Sequence, residues 1–240
     1  MSPRARWGVL AVLLVVFGVT VVMAGKRGEP AATGPLPTGV QRLGPEAGEP
    51  VADYLRRAYA SLPEGNAGPV WALVQLDSYL ASKPAAQLAQ GVRLSRVVLR
   101  VPLPRVQTAL ITRDLPGQRT GTELTEVQLV RAMKSAAQDR LAATYRQVPP
   151  GRLAAVAAAE TAQLRDGCAC VLALLVLGDG EALRAVAAHP GVRAVHAASP
   201  DTAIHDVAIS ALLPEQVDMA GPVPDDGPVP GYPAAGWGRR

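Results

Sequence analysis

The sequence has few aromatic residues and few lysines. Aromatic residues make up 4% of the 240 residues, and the single phenylalanine is Phe17. Proteins that bind nucleic acid usually gather basic residues into a patch interleaved with aromatic ones. Here the arginines are interspersed with Asp and Glu, and we predict no nucleic-acid partner. The nearest approach to a basic cluster comprises Arg93, Arg96, Arg100, Arg105, Arg113 and Arg119.

Motifs for catalysis, phosphate binding and metal binding are also missing. The chain has no Gly-x-Ser-x-Gly elbow, no His-Glu-x-x-His pair and no glycine-rich phosphate loop. The three histidines, His189, His196 and His205, lack ligand spacing, and His196 falls in a predicted strand, where a structural role is usual. We therefore predict a protein that is not an enzyme and holds no metal or cofactor.

The only two cysteines, Cys168 and Cys170, stand two positions apart. In an extended chain their Cα atoms would lie about 6.6 Å apart, which is unfavourable for a disulfide. A bend at Gly167 would permit one. A structural zinc site normally needs four ligands, of which this pair would supply two. Three interpretations stay open: buried cysteines or a plain disulfide, a redox-active pair, and part of a metal site.

One long apolar run, residues 7–24, carries no charge. Its length of about 27 Å as a helix matches the hydrocarbon core of a bilayer. We predict a single-pass anchor that contacts the lipid bilayer. The alternative is a signal peptide cleaved after Ala24, although signal peptides usually have shorter apolar cores.

The charges that flank this run predict the orientation. Arg4, Arg6 and the terminal amine precede it, and Lys26 and Arg27 follow it. Because positive charge is retained in the cytoplasm, this small excess favours a cytoplasmic N-terminus. We predict a protein of the cell membrane whose globular domain is extracytoplasmic.

Composition divides the rest of the chain into three parts. Residues 25–50 are rich in glycine, proline and polar side chains, which predicts a flexible stalk. Residues 214–240 have the same character and predict a disordered tail. Residues 51–213 hold the periodic apolar patterns and predict one α+β globular domain.

Within this domain the patterns predict two strand–helix–strand units. The first has strands at 69–77 and 96–101 around a helix at 79–90, and the second has strands at 170–177 and 192–198 around a helix at 180–189. Helices at 125–145 and 152–165 lie between the units, and a further helix at 51–62 precedes them. The apolar stripe predicted for helix 125–145 is Val127, Val130, Met133, Ala137, Leu141 and Tyr145.

Two such units resemble the halves of a ferredoxin-like αβ sandwich, and the helical pair would be an insertion between them. The segment from Glu181 to Val195, a helix, a Pro-Gly-Val turn and a strand, resembles the second half of the inhibitory propeptides of subtilisin-like proteases. With the anchor, RVPLP at 100–104 and LLPEQ at 212–216, the whole chain is similar to uncharacterised single-pass membrane proteins of actinomycete-type bacteria. That similarity implies no particular activity.

The leading hypothesis is a non-enzymatic, membrane-anchored interaction or sensor domain with an unidentified protein partner. It depends on the anchor, the stalk, the α/β core and the missing catalytic motifs. A thiol-dependent redox protein that uses Cys168 and Cys170 is the alternative from another class. The propeptide resemblance adds a third hypothesis, a protease-inhibitor-like domain.

Overall fold

A computed structural model describes residues 39–64, 68–116, 121–146 and 151–232. The predicted anchor at residues 7–24 lies outside them. Within the described ranges, no helix combines the length and the apolar character needed to cross a bilayer.

The described residues form an α+β fold, which confirms the predicted class. Five helices are present in these ranges: α1 (Val51–Ala60), α2 (Ser82–Leu88), α3 (Thr122–Tyr145), α4 (Arg152–Asp166) and α5 (Gly180–Ala187). The seven strands are β1 (Gln41–Leu43), β2 (Val70–Leu80), β3 (Arg93–Leu99), β4 (Ile111–Asp114), β5 (Val171–Gly178), β6 (Val192–Ala197) and β7 (Val207–Ile209).

Five strands form an antiparallel sheet in the order β4-β3-β5-β2-β6. β5 lies between the two strands of the unit β2–α2–β3, and β2 lies between the two strands of the unit β5–α5–β6. β5 and residues 70–76 of β2 are almost wholly apolar because both faces of the sheet are covered there. This placement leaves β4 and β6 as the sheet edges.

Helices cover one face of the sheet. Alternate residues of β2, such as Val74, point to this face and contact the buried sides of α2, α3 and α5, which include Ala85, Met133 and Leu183. α4 lies against α3 and ends at Gly167, whose φ of +80° closes the helix.

The opposite face of the sheet is covered by the ends of the domain. β1 and β7 form a parallel two-stranded sheet, and Leu43 of β1 is fully buried with Leu73. α1 contributes Tyr54, whose hydroxyl lies 3.1 Å from the buried amide nitrogen of Gln75. The same Gln75 side chain accepts a hydrogen bond from the backbone of Leu212, at 3.0 Å. These polar contacts fix the position of the second layer over the sheet.

The boundaries of the domain differ from those predicted. Residues 39–50, which we expected in the stalk, include β1, and residues 214–232, which we expected in a disordered tail, are bound to the domain. Ala220 exchanges backbone hydrogen bonds with Gly48 and Glu49, at 2.6 and 2.9 Å, and Val229 is 4% exposed. These segments are held by backbone hydrogen bonds and by a few apolar residues, which become buried because the segments lie over the second face of the sheet.

Candidate functional site

The two edges of the large sheet differ in whether other segments of the chain bind to the edge strand. At the β6 edge, the outward N–H of Ala197 donates to the hydroxyl oxygen of Ser61, at 2.8 Å. Arg193 of the same strand donates to the backbone of Leu213 and Gln216, at 3.1 and 2.7 Å. The chain thus closes the β6 edge with its own residues.

The β4 edge has no further strand beside it in the described part of the chain. Leu115 donates its backbone N–H to Ser95 of β3, at 2.8 Å. Because backbone groups alternate along an antiparallel pair, the N–H and C=O groups of Thr112 and Asp114 face away from β3. Such an edge can accept an extended segment as an additional strand.

A groove of about 440 Å³ lies between this edge and α3. Its apolar wall is formed by two α3 residues, Leu124 and Val127, that are 43% and 48% exposed. The residues that line it are Arg113, Asp114, Leu115, Pro116, Leu124, Val127, Gln128, Arg131, Ala132 and Ser135. The groove therefore places outward backbone groups beside exposed aliphatic side chains.

One charge in the groove is not balanced by an ion pair among the described residues. Arg113 pairs with Asp139, and Asp114 pairs with Arg96 at 2.6 Å. Arg131 is exposed and has no salt bridge within the described ranges. The groove consequently carries local positive charge that would attract a carboxylate.

Two side chains of the groove already donate to backbone carbonyls of the β4 segment. Arg113 donates to the carbonyl of Thr112 and Gln128 donates to that of Pro116, both at 2.9 Å. Both hydrogen bonds are exposed to solvent, so exchange for another donor costs little. They cover single carbonyl groups and leave the N–H of Thr112 and the N–H of Asp114 free of side-chain acceptors in the described residues.

Cys168 and Cys170 are joined by a disulfide, with their Cα atoms 5.3 Å apart. The bend after Gly167 brings them closer than an extended chain would. Cys170 is fully buried and Cys168 is partly buried. A thiolate that attacks Cys168 would expel the Cys170 sulfur into an apolar environment, which disfavours its charge and slows exchange.

Replacing both cysteines with alanine is expected to lower the free energy of unfolding by no more than about 2 kcal/mol, because the disulfide closes a very short loop. Urea unfolding of the double variant checks this. Brief reduction of the wild type followed by alkylation should label Cys168 before Cys170. Loss of the folded state on reduction would contradict the expectation.

The histidines do not come together in a site. His196 is 4% exposed, whereas His205 has a side chain that is 79% exposed. In the described ranges there is no group of three His, Cys, Asp or Glu side chains placed to hold a metal ion.

The arginines that come nearest to a cluster in the sequence lie apart in the fold, as far as they are described. Arg96, Arg100, Arg105 and Arg113 each form an ion pair with an acidic residue. Arg93 lies over the ring of Trp71, with its guanidinium carbon 5.2 Å from the ring centroid, and Arg119 lies outside the described residues. The five arginines of this set that the structure describes make separate contacts and do not form one basic surface.

A second cavity, of about 560 Å³, borders Arg100. The Arg100 side chain is 2% exposed and pairs with Glu215 at 2.5 Å; it also donates to Tyr79 and to the carbonyl of Val106. Burial raises the pKa of Tyr79, so its hydroxyl stays protonated. A ligand anion would have to displace Glu215 from Arg100, which makes this cavity the weaker candidate.

The sequence patterns missed the importance of Val127. We predicted it in the buried stripe of α3, but the buried residues are Thr125, Leu129, Ala132, Met133, Ala136 and Ala137. α3 contacts both the sheet and α4, so its buried stripe is wider and rotated away from Val127. The aliphatic side chain of Val127 was the one feature of the sequence that marked the surface of the groove.

Comparison with known proteins returned no match to a protein-family model, a curated protein or a solved structure. The feature of the domain that bears most on function is the contrast between its two sheet edges. The chain closes the β6 edge, whereas the β4 edge borders an apolar groove.

Proposed function

We propose that this protein is a non-enzymatic, membrane-anchored interaction domain that binds an extended segment of a partner protein along β4. The observation that carries the proposal is the open edge of β4 beside the apolar wall of α3. Main-chain hydrogen bonds to Thr112 and Asp114 would supply affinity, and side-chain contacts in the groove would supply specificity.

The core on which this edge lies is proposed to be ferredoxin-like. The order β3-β5-β2-β6, all antiparallel, supports this assignment, because each strand–helix–strand unit has one strand of the other unit between its own two. β4 adds a strand outside β3, and α3 with α4 is inserted between the units. The insertion forms the groove, since α3 is one of its walls.

The chemistry of the groove favours a particular kind of segment. Leu124 and Val127 offer aliphatic surface, and Arg131 offers a cation one turn further along α3. A strand that lies on β4 directs alternate side chains to the α3 side. The preferred segment therefore has aliphatic residues at alternate positions and a carboxylate at one end.

The proposed location is the outer face of the cell membrane, with residues 7–24 as the anchor. The Cys168–Cys170 disulfide supports an oxidising compartment. A membrane-impermeant thiol reagent should label these cysteines in intact cells only after reduction. Labelling that requires permeabilised cells would place the domain in the cytoplasm.

The other two functions find less support. A redox role is disfavoured because the sulfur of Cys170 is fully buried. A propeptide-like inhibitor would present its C-terminal segment to a protease, but here residues 214–232 bind to their own domain, with Ala220 and Val229 buried.

Peptides selected from a phage-displayed random dodecamer library against the full-length protein should bind at β4. Thr112→Pro removes an outward N–H without touching the β3–β4 ladder, and it is expected to weaken binding at least about tenfold, or about 1.4 kcal/mol. Thr112→Val keeps that N–H and should bind as the wild type does. Titration of a fluorescent selected peptide measures both, and equal affinities for the two variants would contradict strand addition.

Two charge-reversal variants of α3 test the side-chain contacts of the groove. Arg131→Glu should weaken binding of peptides that carry a carboxylate, because it reverses the unbalanced charge of the groove. Lys134→Glu makes the same charge change at an exposed α3 residue that does not line the groove. If the two variants lose affinity equally, the effect is one of net charge and the groove is not the binding site.

A further inference from the structure

His196 is a buried histidine whose two ring nitrogens have different neighbours. Its Nδ1 accepts a hydrogen bond from the backbone N–H of Gly44, at 2.9 Å. Its Nε2 lies 3.5 Å from a guanidinium nitrogen of Arg57. Because Nδ1 accepts, the proton of the neutral ring is on Nε2.

The charged and titratable groups that face His196 come from two neighbouring segments. Arg57 and Tyr54 belong to α1, and Tyr54 meets the imidazole edge-on at a centroid distance of 5.8 Å. Glu49 precedes α1 and binds the Arg57 guanidinium, with a shortest distance of 2.8 Å. On the sheet side, the pairing partner of His196 in β2 is Leu73, which is apolar.

A second proton on this imidazole is incompatible with the observed contacts. Protonated Nδ1 would direct an N–H at the N–H of Gly44, so the hydrogen bond would be lost. The new positive charge would also lie beside the Arg57 guanidinium, on a ring that is itself buried. Burial and, to a smaller extent, Arg57 lower the pKa of His196 from 6.5 to about 4, while Glu49 opposes this shift.

The hydrogen bond to Gly44 holds the first described strand of the domain. Gly44 directly follows β1, whose residue Leu43 accepts a hydrogen bond from Ser210, at 2.8 Å. Arg57 also donates to the carbonyl of Gly44, at 3.2 Å. Both backbone groups of Gly44 are therefore hydrogen-bonded, the N–H to the neutral imidazole of His196 and the carbonyl to the guanidinium of Arg57.

We infer that His196 is an acid-sensitive latch that holds β1 on the domain and releases it when the imidazole is protonated. Release would detach residues 39–44 from β7 and from the sheet. Along the sequence β1 is the first described strand after the predicted anchor, so acid would lengthen the chain that links the domain to residues 7–24. The inference does not depend on the β4 groove.

The test is hydrogen exchange of the full-length protein in detergent, with protection calculated against the intrinsic rate at each pH. A group with a lowered folded-state pKa stabilises the closed state fully above pH 6.5 and loses that contribution as the pH falls toward 4. Local opening of β1 should therefore become about 40-fold more frequent between pH 6.5 and 4.5. Residues 171–178 of β5 should keep their protection over the same range.

His205→Gln, a change at an exposed histidine, should behave as the wild type does, and His196→Gln should keep β1 protected because an amide oxygen can replace Nδ1. The NMR signals of the three histidines in labelled wild type give a measurement that needs no variant. His196 should titrate well below the ordinary histidine pKa of 6.5 and together with the loss of β1 protection. Titration of His196 near 6.5, or parallel loss of protection in β5, would overturn the latch.

Discussion

Replacing Glu160 with alanine is expected to lower the free energy of unfolding by about 3 kcal/mol. The Glu160 side chain in α4 is fully buried. One carboxylate oxygen binds the guanidinium of Arg140 in α3, at 2.5 Å, and the other accepts the backbone N–H of Ala109, at 2.6 Å. The variant would leave a charge and a backbone donor without their partner.

Urea unfolding of Glu160→Ala beside Asp53→Asn provides the comparison. Asp53 forms an exposed pair with Arg56, in which both side chains are more than half exposed. Such surface pairs contribute about 0–1 kcal/mol, so the control should lose far less stability. A loss for Glu160→Ala as small as that of the control would show that water replaces the carboxylate and that α4 does not depend on it.

Gly44→Ala is expected to detach β1 and to lower the free energy of unfolding by about 3 kcal/mol. Gly44 has a φ of +118°, and a Cβ atom there would lie 1.7 Å from the carbonyl oxygen of Ser210. Neither backbone can give way while β1 stays paired with β7. Separation of the strands would expose Leu43, which is fully buried.

Gly48→Ala is the matched control, because Gly48 also has a positive φ, of +78°, but a Cβ atom there meets nothing within 4 Å. It should lose only about 1 kcal/mol, the usual difference for a left-handed backbone conformation. Hydrogen exchange should show loss of protection at residues 41–43 and 207–209 in Gly44→Ala alone. Intact protection there in Gly44→Ala would contradict the expectation.

Local patterns were sufficient for most of the core. The apolar run at 170–177 predicted β5, and the run at 69–77 predicted β2, because strands buried on both faces need apolar residues at every position. β2 extends to Leu80, so α2 begins at Ser82, later than the predicted 79. β4 spans only Ile111–Asp114, because Thr108, shortly before it, donates its hydroxyl to the carbonyl of Val101 in the loop that follows β3.

The C-terminal segment shows where such patterns fail. Its proline and glycine content is typical of disorder, yet Gly227 donates to Arg105 at 2.7 Å and Asp226 pairs with the same arginine. A Cβ atom at Gly227 would lie 2.1 Å from the carbonyl of Pro104, so glycine is needed for close contact here. Composition does not distinguish a glycine kept for flexibility from one kept for close packing.

The groove was beyond sequence reasoning for a different reason. The sequence between β4 and α3, the two walls of the groove, has no pattern that predicts a cleft. The order of all five strands decides which edge of the sheet stays open. Ser61, which closes the opposite edge, is 136 positions from its partner Ala197. Contacts of this separation are set by the fold as a whole.

The parallel pairing of β1 with β7 has a mechanical consequence. A pull on Gln41 that is directed along the axis of β1 would load the backbone bonds of the pair, which join residues 41–43 to 207–209, together in shear. An antiparallel hairpin pulled from its end would instead peel apart one bond at a time. A tether attached on this side would transmit tension through a junction that yields abruptly, and the bond between Gly44 and His196 is next in line.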